Sequence, residues 1–323
     1  MKTSGKWYRS PFVLILIVLC LLLVHFWVTV RSSKELNEHS HASIYYDYKY
    51  HYVVDIGALN SEFSREFIRG AADKAQELGI ALEVKGQNSS YNATKNDFLT
   101  WAYYVHPDGV ISYGGYDEDK IKVLQDAGIA CCLVNNNPDR SDVMYVGPDN
   151  YEQGYILGRK LAEKYADRTL HLSVLYDKSK ETGDRSRLRG FMDAVNDFPW
   201  LKVIEKRDVE SGILMGMGIA EDVMLSFGEV DYLVCLDEVL LASAARGIVD
   251  LNRVNSVKAS GIGTSDEIKG YIDIGLIDLS INCNGYAMGE LAVEKLSDYK
   301  QRILPASEMQ TITPFEMVGD VSD

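Results

Sequence analysis

From about Tyr50 onward two hydrophobic periods alternate along the chain. Short apolar, β-branched runs are separated by longer stretches in which apolar residues fall three or four positions apart. The runs predict strands at Tyr52–Ile56, Ile80–Lys85, Gly109–Tyr113, Ile129–Val134 and Met144–Val146. A second series follows at Leu170–Tyr176, Val203–Arg207, Tyr232–Leu236, Val257–Gly261 and Leu279–Cys283, with a late extra strand at Met309–Pro314. In Ser64–Leu78 the apolar residues Phe67, Ala71, Ala75 and Leu78 form the single face that a helix lays on a sheet. Leu188, Phe191, Met192 and Val195 repeat that spacing in the second series. Gly79, Gly128 and Gly275 stand where such helices should stop. Strands alternating with helices argue for βαβ units and parallel sheets, and two series of about five strands each predict two similar α/β lobes.

A different pattern precedes this one. Phe12–Val24 is unbroken apolar sequence, interrupted only by His25 and Thr29 before Arg31. As a helix, Pro11–Val30 would span roughly 30 Å, one hydrocarbon thickness. The alternative is a cleaved signal peptide, whose apolar core is about 7–15 residues and ends in a small-residue site. No such site follows Val30, and Leu19 precedes Cys20 where a lipoprotein would carry a small residue. The expectation is therefore an uncleaved transmembrane anchor at 11–30, with 1–10 cytoplasmic and a polar, Tyr-rich tether at 31–48. Lys2, Lys6 and Arg9 before the span, against Arg31 and Lys34 after it, favour an extracytoplasmic carboxyl-terminal part. Trp7, Tyr8 and Trp27 suit the two interfaces.

Charge narrows the partners. Those five cations sit in the first 34 residues, which hold no Asp or Glu; of 33 basic and 47 acidic residues, 28 and 47 remain in 35–323, a charge of −19. Phosphate backbones need clustered positive charge, so no nucleic acid is expected as a partner. Of the five cysteines, Cys20 lies in the apolar run and Cys131, Cys132, Cys235 and Cys283 lie in strand-like runs, where they read as small buried hydrophobes without a disulfide framework. The six histidines are scattered, and no Walker loop, His-Glu-x-x-His, Cys-x-x-Cys or nucleophile elbow occurs. Neither an enzyme nor a bound metal or cofactor is expected.

In open α/β sheets ligands bind beyond the carboxyl ends of the strands, so the candidate site residues are those that follow each strand. After the first strand, Asn60 or Ser61 can cap the next helix, and Phe63 either stacks on a ligand ring or packs in the core. Tyr113 precedes two glycines. Asn135 and Asn136 open an Asn-rich turn whose amides both donate and accept, as sugar hydroxyls do. Arg185, Arg187 and Arg189 crowd a helix start against its dipole, so acidic neighbours or a ligand must compensate them. Of Asp237-Glu238 one should cap a helix and the other could reach the cleft, and Thr264 or Ser265 caps the next. Cys283 lies between two asparagines that line the cleft or form a hinge.

In order and spacing, several short segments resemble one family. They are Val53-Val54 followed by Asn60-Ser61-Glu62-Phe63, the stretch Gly70–Gly79, Tyr145-Val-Gly-Pro-Asp149-Asn150 with Gly154 and Gly158, Arg185–Phe191, and Asp237-Glu238. Over about residues 50–318 the chain is similar to the type I periplasmic binding proteins, in their ribose-binding-like, sugar-binding branch. It also resembles the ligand domain of lactose-repressor-type regulators. A regulator would carry a helix-turn-helix where this chain has its apolar run. The resemblance implies two Rossmann-like lobes with parallel sheets joined by a three-strand hinge. The crossings would lie near Pro148, Asn284 and Glu308, giving lobe 1 as 49–148 plus 284–308 and lobe 2 as 149–283 plus 309–323. Phe63 matches an aromatic that stacks on the sugar, and Arg187 an arginine that binds its hydroxyls. Asn135 and Asn136 stand where Asp-Arg is frequent, Leu236 where an amide is usual, Gly263 where an aspartate is common and Cys283 where a glutamine is common.

Ligand-binding candidates are thus Ser61, Phe63, Tyr113, Asn135, Asn136, Arg187, Asp237, Thr264 and Cys283. The implied function is a membrane-anchored extracytoplasmic receptor for a small polar ligand, a monosaccharide by resemblance. It would signal by lobe closure to a sensor histidine kinase, or alternatively serve a sugar ABC permease.

Overall fold

The computed structural model describes residues 48–56, 61–85, 95–113, 117–135, 138, 142–177, 183–209, 213–302 and 309–319. The expected anchor at 11–30 and the tether up to residue 47 lie outside these, as do Asn60 and Asn136. Among the described residues no helix is long and apolar enough to cross a membrane.

Tyr50–Asp323 form one compact unit built on two six-stranded sheets. The first sheet contains β1 (Tyr50–Asp55), β2 (Ile80–Lys85), β3 (Gly109–Tyr113), β4 (Ala130–Val134), β5 (Met144–Gly147) and β11 (Gln310–Ile312), in the order β2-β1-β3-β4-β5-β11. The second contains β6 (Leu170–Tyr176), β7 (Leu201–Asp208), β8 (Tyr232–Cys235), β9 (Lys258–Ile262), β10 (Ile277–Asn282) and β12 (Glu316–Gly319), in the order β7-β6-β8-β9-β10-β12. The two orders are equivalent, so the lobes are two copies of one doubly wound plan.

Among the described residues every strand pairing is parallel except that of β12 with β10. The exception has a simple cause. The other strands end at the cleft between the lobes, whereas β12 begins there. The chain leaves β11 in the first sheet and enters β12 in the second, so the last crossing is Thr313–Phe315. The expectation near Glu308 was too early. It took Met309–Pro314 as a single strand, but residues 310–312 extend the first sheet beside β5 and residues 316–319 start a new strand in the second. The other two crossings are β5 to α4 at Pro148-Asp149 and β10 to α9 at Cys283-Asn284.

The helices are α1 (Glu62–Leu78), α2 (Lys95–Val105), α3 (Glu118–Asp126), α4 (Asn150–Lys164), α5 (Gly183–Val195), α6 (Ile213–Ser226), α7 (Glu238–Asp250), α8 (Asp266–Asp273) and α9 (Gly285–Lys300). Their starts follow the capping chemistry of the sequence: Ser61, Asp117, Asp149, Asp237, Ser265 and Asn284 each accept a first-turn backbone N–H. Gly79, at φ +65°, ends α1 in the left-handed conformation that glycine adopts without steric cost.

Each lobe pairs its first helix with the helix that enters after a crossing. In lobe 1, α1 lies on α9 so closely that a Cβ at Gly70 would stand 2.1 Å from the Tyr286 carbonyl, and one at Gly289 2.1 Å from that of Phe67. In lobe 2, α5 meets α4 the same way, with Gly190 against the Tyr151 carbonyl at 2.0 Å and Gly154 against that of Arg187 at 1.9 Å. A continuous core that includes Phe67, Met288, Leu157 and Phe191 lies under these helix pairs, and each sheet covers its other face with a separate core.

Candidate functional site

A cavity of about 350 Å³ lies between the lobes at the carboxyl ends of the strands. It is within the size range that holds a small ligand. Seven of the nine residues expected from the sequence line it: Phe63, Tyr113, Asn135, Arg187, Asp237, Thr264 and Cys283. Asn136 falls outside the described residues. Ser61 serves the cap instead: its hydroxyl accepts the Ser64 N–H at 3.0 Å and bonds the Ser64 hydroxyl at 2.7 Å.

The floor of the cavity is organised by Arg187, which is buried on the second turn of α5. Its Nε donates to Gln153 Oε1 at 3.0 Å, Nη1 to Asp184 Oδ1 at 2.8 Å and to the Leu236 carbonyl at 3.3 Å, and Nη2 to Asn135 Oδ1 at 3.2 Å. Burial opposes its charge, but Asp184, Cys283, Tyr113 and Asp237 outweigh burial and raise its pKa. Asp184 is thus the compensating neighbour the arginine-rich helix start required, and Arg189 lies over the Tyr151 ring at 5.2 Å. Because Asn135 belongs to lobe 1, the Arg187–Asn135 bond ties the lobes together. Asn135 holds a left-handed backbone, φ +58°, a conformation asparagine tolerates. Its Nδ2 donates to Tyr113 OH at 3.4 Å.

Phe63 and Tyr113 form the apolar wall in lobe 1, ring centroids 5.2 Å apart and tilted by 32°. Opposite them, Asp237 caps α7 by accepting the Val239 N–H at 2.9 Å. Ser265 caps α8, leaving Thr264 to line the cleft. Cys283 accepts from Gln153 Nε2 with N···S 2.9 Å, and burial raises its thiol pKa. Cys131, Cys132, Cys235 and Cys283 are all buried free thiols. Among the described residues no group of His, Cys, Asp or Glu is placed to hold a metal.

At the mouth the sequence leaves Glu62 unmarked and offers Glu238 only as one of a pair, one member to cap a helix and the other to reach the cleft. Glu62, on α1, accepts the backbone N–H of Asp266 at 2.6 Å and lies 3.4 Å from Lys269 Nζ, both on α8 of the other lobe. Glu238, from the opposite lobe, lies beside the start of α1, where the backbone of Glu62 and Phe63 favours its charged form. Burial, and then the charges of Asp237 and Glu62, push its carboxyl from the ordinary 4.5 to about 7. The signal was present in both cases: Glu62 sits between two expected site residues and Glu238 beside one.

Two lobes, three crossings and a polar cleft at the strand ends now stand together, and residues 53–302 match the model of the periplasmic binding protein domain. The chain belongs to the periplasmic binding protein family. Its fold is that of the type I sugar-binding members. Among solved structures it is similar to GanP, a glucose-galactose binding protein from Geobacillus stearothermophilus, at 22% identity and a TM-score of 0.76, covering 84% of this chain and 97% of that one. The periplasmic component of an ABC-type sugar transport system from Hahella chejuensis gives 18% and 0.76, covering 84% and 100%. XylFII in its complex with LytSN gives 19% and 0.75, covering 84% and 98%. At these identities the likeness is one of fold.

Proposed function

We propose that this periplasmic binding protein is an extracytoplasmic receptor for a small sugar, held at the membrane by its amino-terminal apolar run and acting by lobe closure. The observation that carries the reading is the cleft: an aromatic wall from lobe 1 faces hydroxyl-binding groups from both lobes, and Glu62 and Arg187 already bond across it. A ligand touching both lobes would favour the closed state by its differential contacts. Binding through Asn135, Asp237 and Thr264 at the rim of the Arg187 strut suits hydroxyls that donate and accept at once. The site residues act in recognition rather than catalysis.

The downstream partner is a sensor histidine kinase in this reading. A similar fold that forms a complex with a second protein, XylFII with LytSN, supports a receptor that passes its closure to a partner. The alternative is service to an ABC permease, supported by the likeness to the Hahella chejuensis transport component. The apolar run Phe12–Val24, with no small-residue cleavage site after it, favours the anchored receptor.

A thermal-shift screen of the full chain in detergent micelles against pentoses, hexoses and polyols tests the ligand. Saturating sugar should raise the melting temperature by mass action, about 2.7 kcal/mol at a hundredfold excess over Kd. No shift with any sugar would sink the reading. Cross-linking in native membranes tests the partner: capture of a histidine kinase supports the receptor, and capture of a permease with its ATPase supports the transporter.

A further inference from the structure

Where two neighbouring strands of the second sheet reach the cleft, the cavity is lined by carbon and sulfur. Ile262 ends β9 and Cys283 follows β10, and both line the cavity. Ile262 is in register with Ile281, and Cys283 lies two residues beyond Ile281, so the alternation of a strand puts the three side chains on one face. All three belong to the core beneath the helix pairs, and Ile262 and Cys283 surface from it into the cavity.

Nothing along this strip is suited to a hydroxyl. Gly263 brings no side chain, and its backbone is engaged: the N–H donates to the Ile281 carbonyl at 2.9 Å, and the carbonyl accepts the Ser280 hydroxyl. The space over Gly263 holds methylene carbon, Cβ and Cγ of Glu238. The Cys283 sulfur accepts from Gln153 Nε2 at 2.9 Å, and burial pushes its thiol up, so it stays protonated at neutral pH and is a weak donor. Hydrogen bonding falls to other lining residues, Asn135, Arg187, Asp237 and Thr264 among them. A ligand hydroxyl turned to the strip would leave water without gaining a partner, whereas a methyl group there buries apolar surface. Neighbouring strands lie about 4.8 Å apart, so two side chains on them make a patch of methyl size rather than the width of a sugar ring.

We propose that the ligand is a deoxy sugar, a 6-deoxyhexose in its simplest form, with its methyl group on Ile262 and Cys283. This rests on the reading of the cleft as a sugar site and specifies which edge of the sugar lacks oxygen. One ring face would lie on Phe63, and the remaining hydroxyls would meet Asn135, Asp237 and Thr264.

The test is calorimetric titration of the full chain in micelles with D-fucose against D-galactose, 6-deoxyglucose against glucose and L-rhamnose against L-mannose. The pentoses L-arabinose and D-xylose, which lack the sixth carbon altogether, complete the set. In any pair that binds, the deoxy sugar should bind at least about tenfold more tightly than its parent, the scale of one hydroxyl desolvated without a partner. It should also exceed the matching pentose, which has no methyl to bury. Cys283→Ser and Ile262→Thr each place a hydroxyl in the strip and should shrink the preference about threefold or more. Cys283→Ala and Ile262→Val keep the strip apolar and should preserve its direction, which decides the matter if the polar variants do not fold. Parent sugars binding as tightly as their deoxy partners would overturn the apolar edge and leave the sugar reading standing. A pentose equal to its 6-deoxyhexose would overturn the methyl contact, as would a preference unmoved by both polar variants. Silence from every sugar would overturn the sugar reading and this inference with it.

Discussion

Glu238 occupies the volume that a side chain at position 263 would need. A Cβ on Gly263 would stand 2.5 Å from both Cβ and Cγ of Glu238, and the glycine has φ +117°. The position where sugar-binding relatives by resemblance carry an acidic side chain therefore has none here, and an acidic side chain comes in from α7, the preceding helix, instead. Gly263→Ala should cost about 1–3 kcal/mol in thermal unfolding, through overpacking and backbone strain together. Adding Glu238→Gly, which removes both of those carbons, should recover part of the packing cost. A double variant no better than the single one would show that the backbone alone is responsible.

Glu62 fastens the mouth. Its carboxylate holds the first N–H of α8 at 2.6 Å, with Ser265 as the cap, so it bonds a helix start in the opposite lobe. Glu62→Ala should weaken ligand binding about tenfold, the scale of a charge-assisted bond at a helix start. The mean distance between the lobes, followed by fluorescence energy transfer between labels on α2 and α6, should lengthen. Unchanged affinity and distance would mean that the bond does not hold closure.

Closure should depend on pH through Glu238. Its carboxyl titrates near 4.5 when exposed and at about 7 in the contact described here, raised first by burial and then by Asp237 and Glu62. The closed cleft thus binds more protons than the open one between these values. Its stabilisation is complete below the lower value and is lost as pH rises through the upper. Without ligand, the lobes should be closer together at about pH 5 than at about pH 8, and Glu238→Gln should flatten the difference. A larger separation at the acid end would contradict the assignment.

Arg187 is a strut as well as a site residue. Removing it takes the Arg187 Nη1 donor from buried Asp184 and frees the acceptors of Gln153, Leu236 and Asn135. Arg187→Ala should therefore lower stability by about 3–5 kcal/mol in addition to abolishing binding. Urea denaturation reads this directly; an unshifted midpoint would mean that the buried pair contributes nothing.

Most of the fold was legible because strand and helix periods differ and the alternation never breaks between Tyr50 and Gln301. Each strand from Tyr52 to Cys283 was found to within a few residues. The last crossing was not, because Gln310–Gly319 is one polar-apolar stretch whose division between two sheets is set by what lies beside it. The lining of the cleft was legible wherever position after a strand sufficed, as at Tyr113, Asn135, Asp237, Thr264 and Cys283. Glu62 was not, and Glu238 only as one of a pair, since their role depends on the opposing lobe, which no local pattern describes. Ser61 failed for a related reason: a hydroxyl before a helix can cap or bind, and only the distance to Ser64 decides.

Neither lobe is continuous in sequence. Lobe 1 needs α9 against Gly70 and β11 beside β5, both encoded after the whole of lobe 2. A chain emerging residue by residue therefore cannot complete its first half until α9 and β11 are out. Truncation near the carboxyl terminus should accordingly harm the half that was synthesised first, and premature release would strand both halves rather than leave one intact.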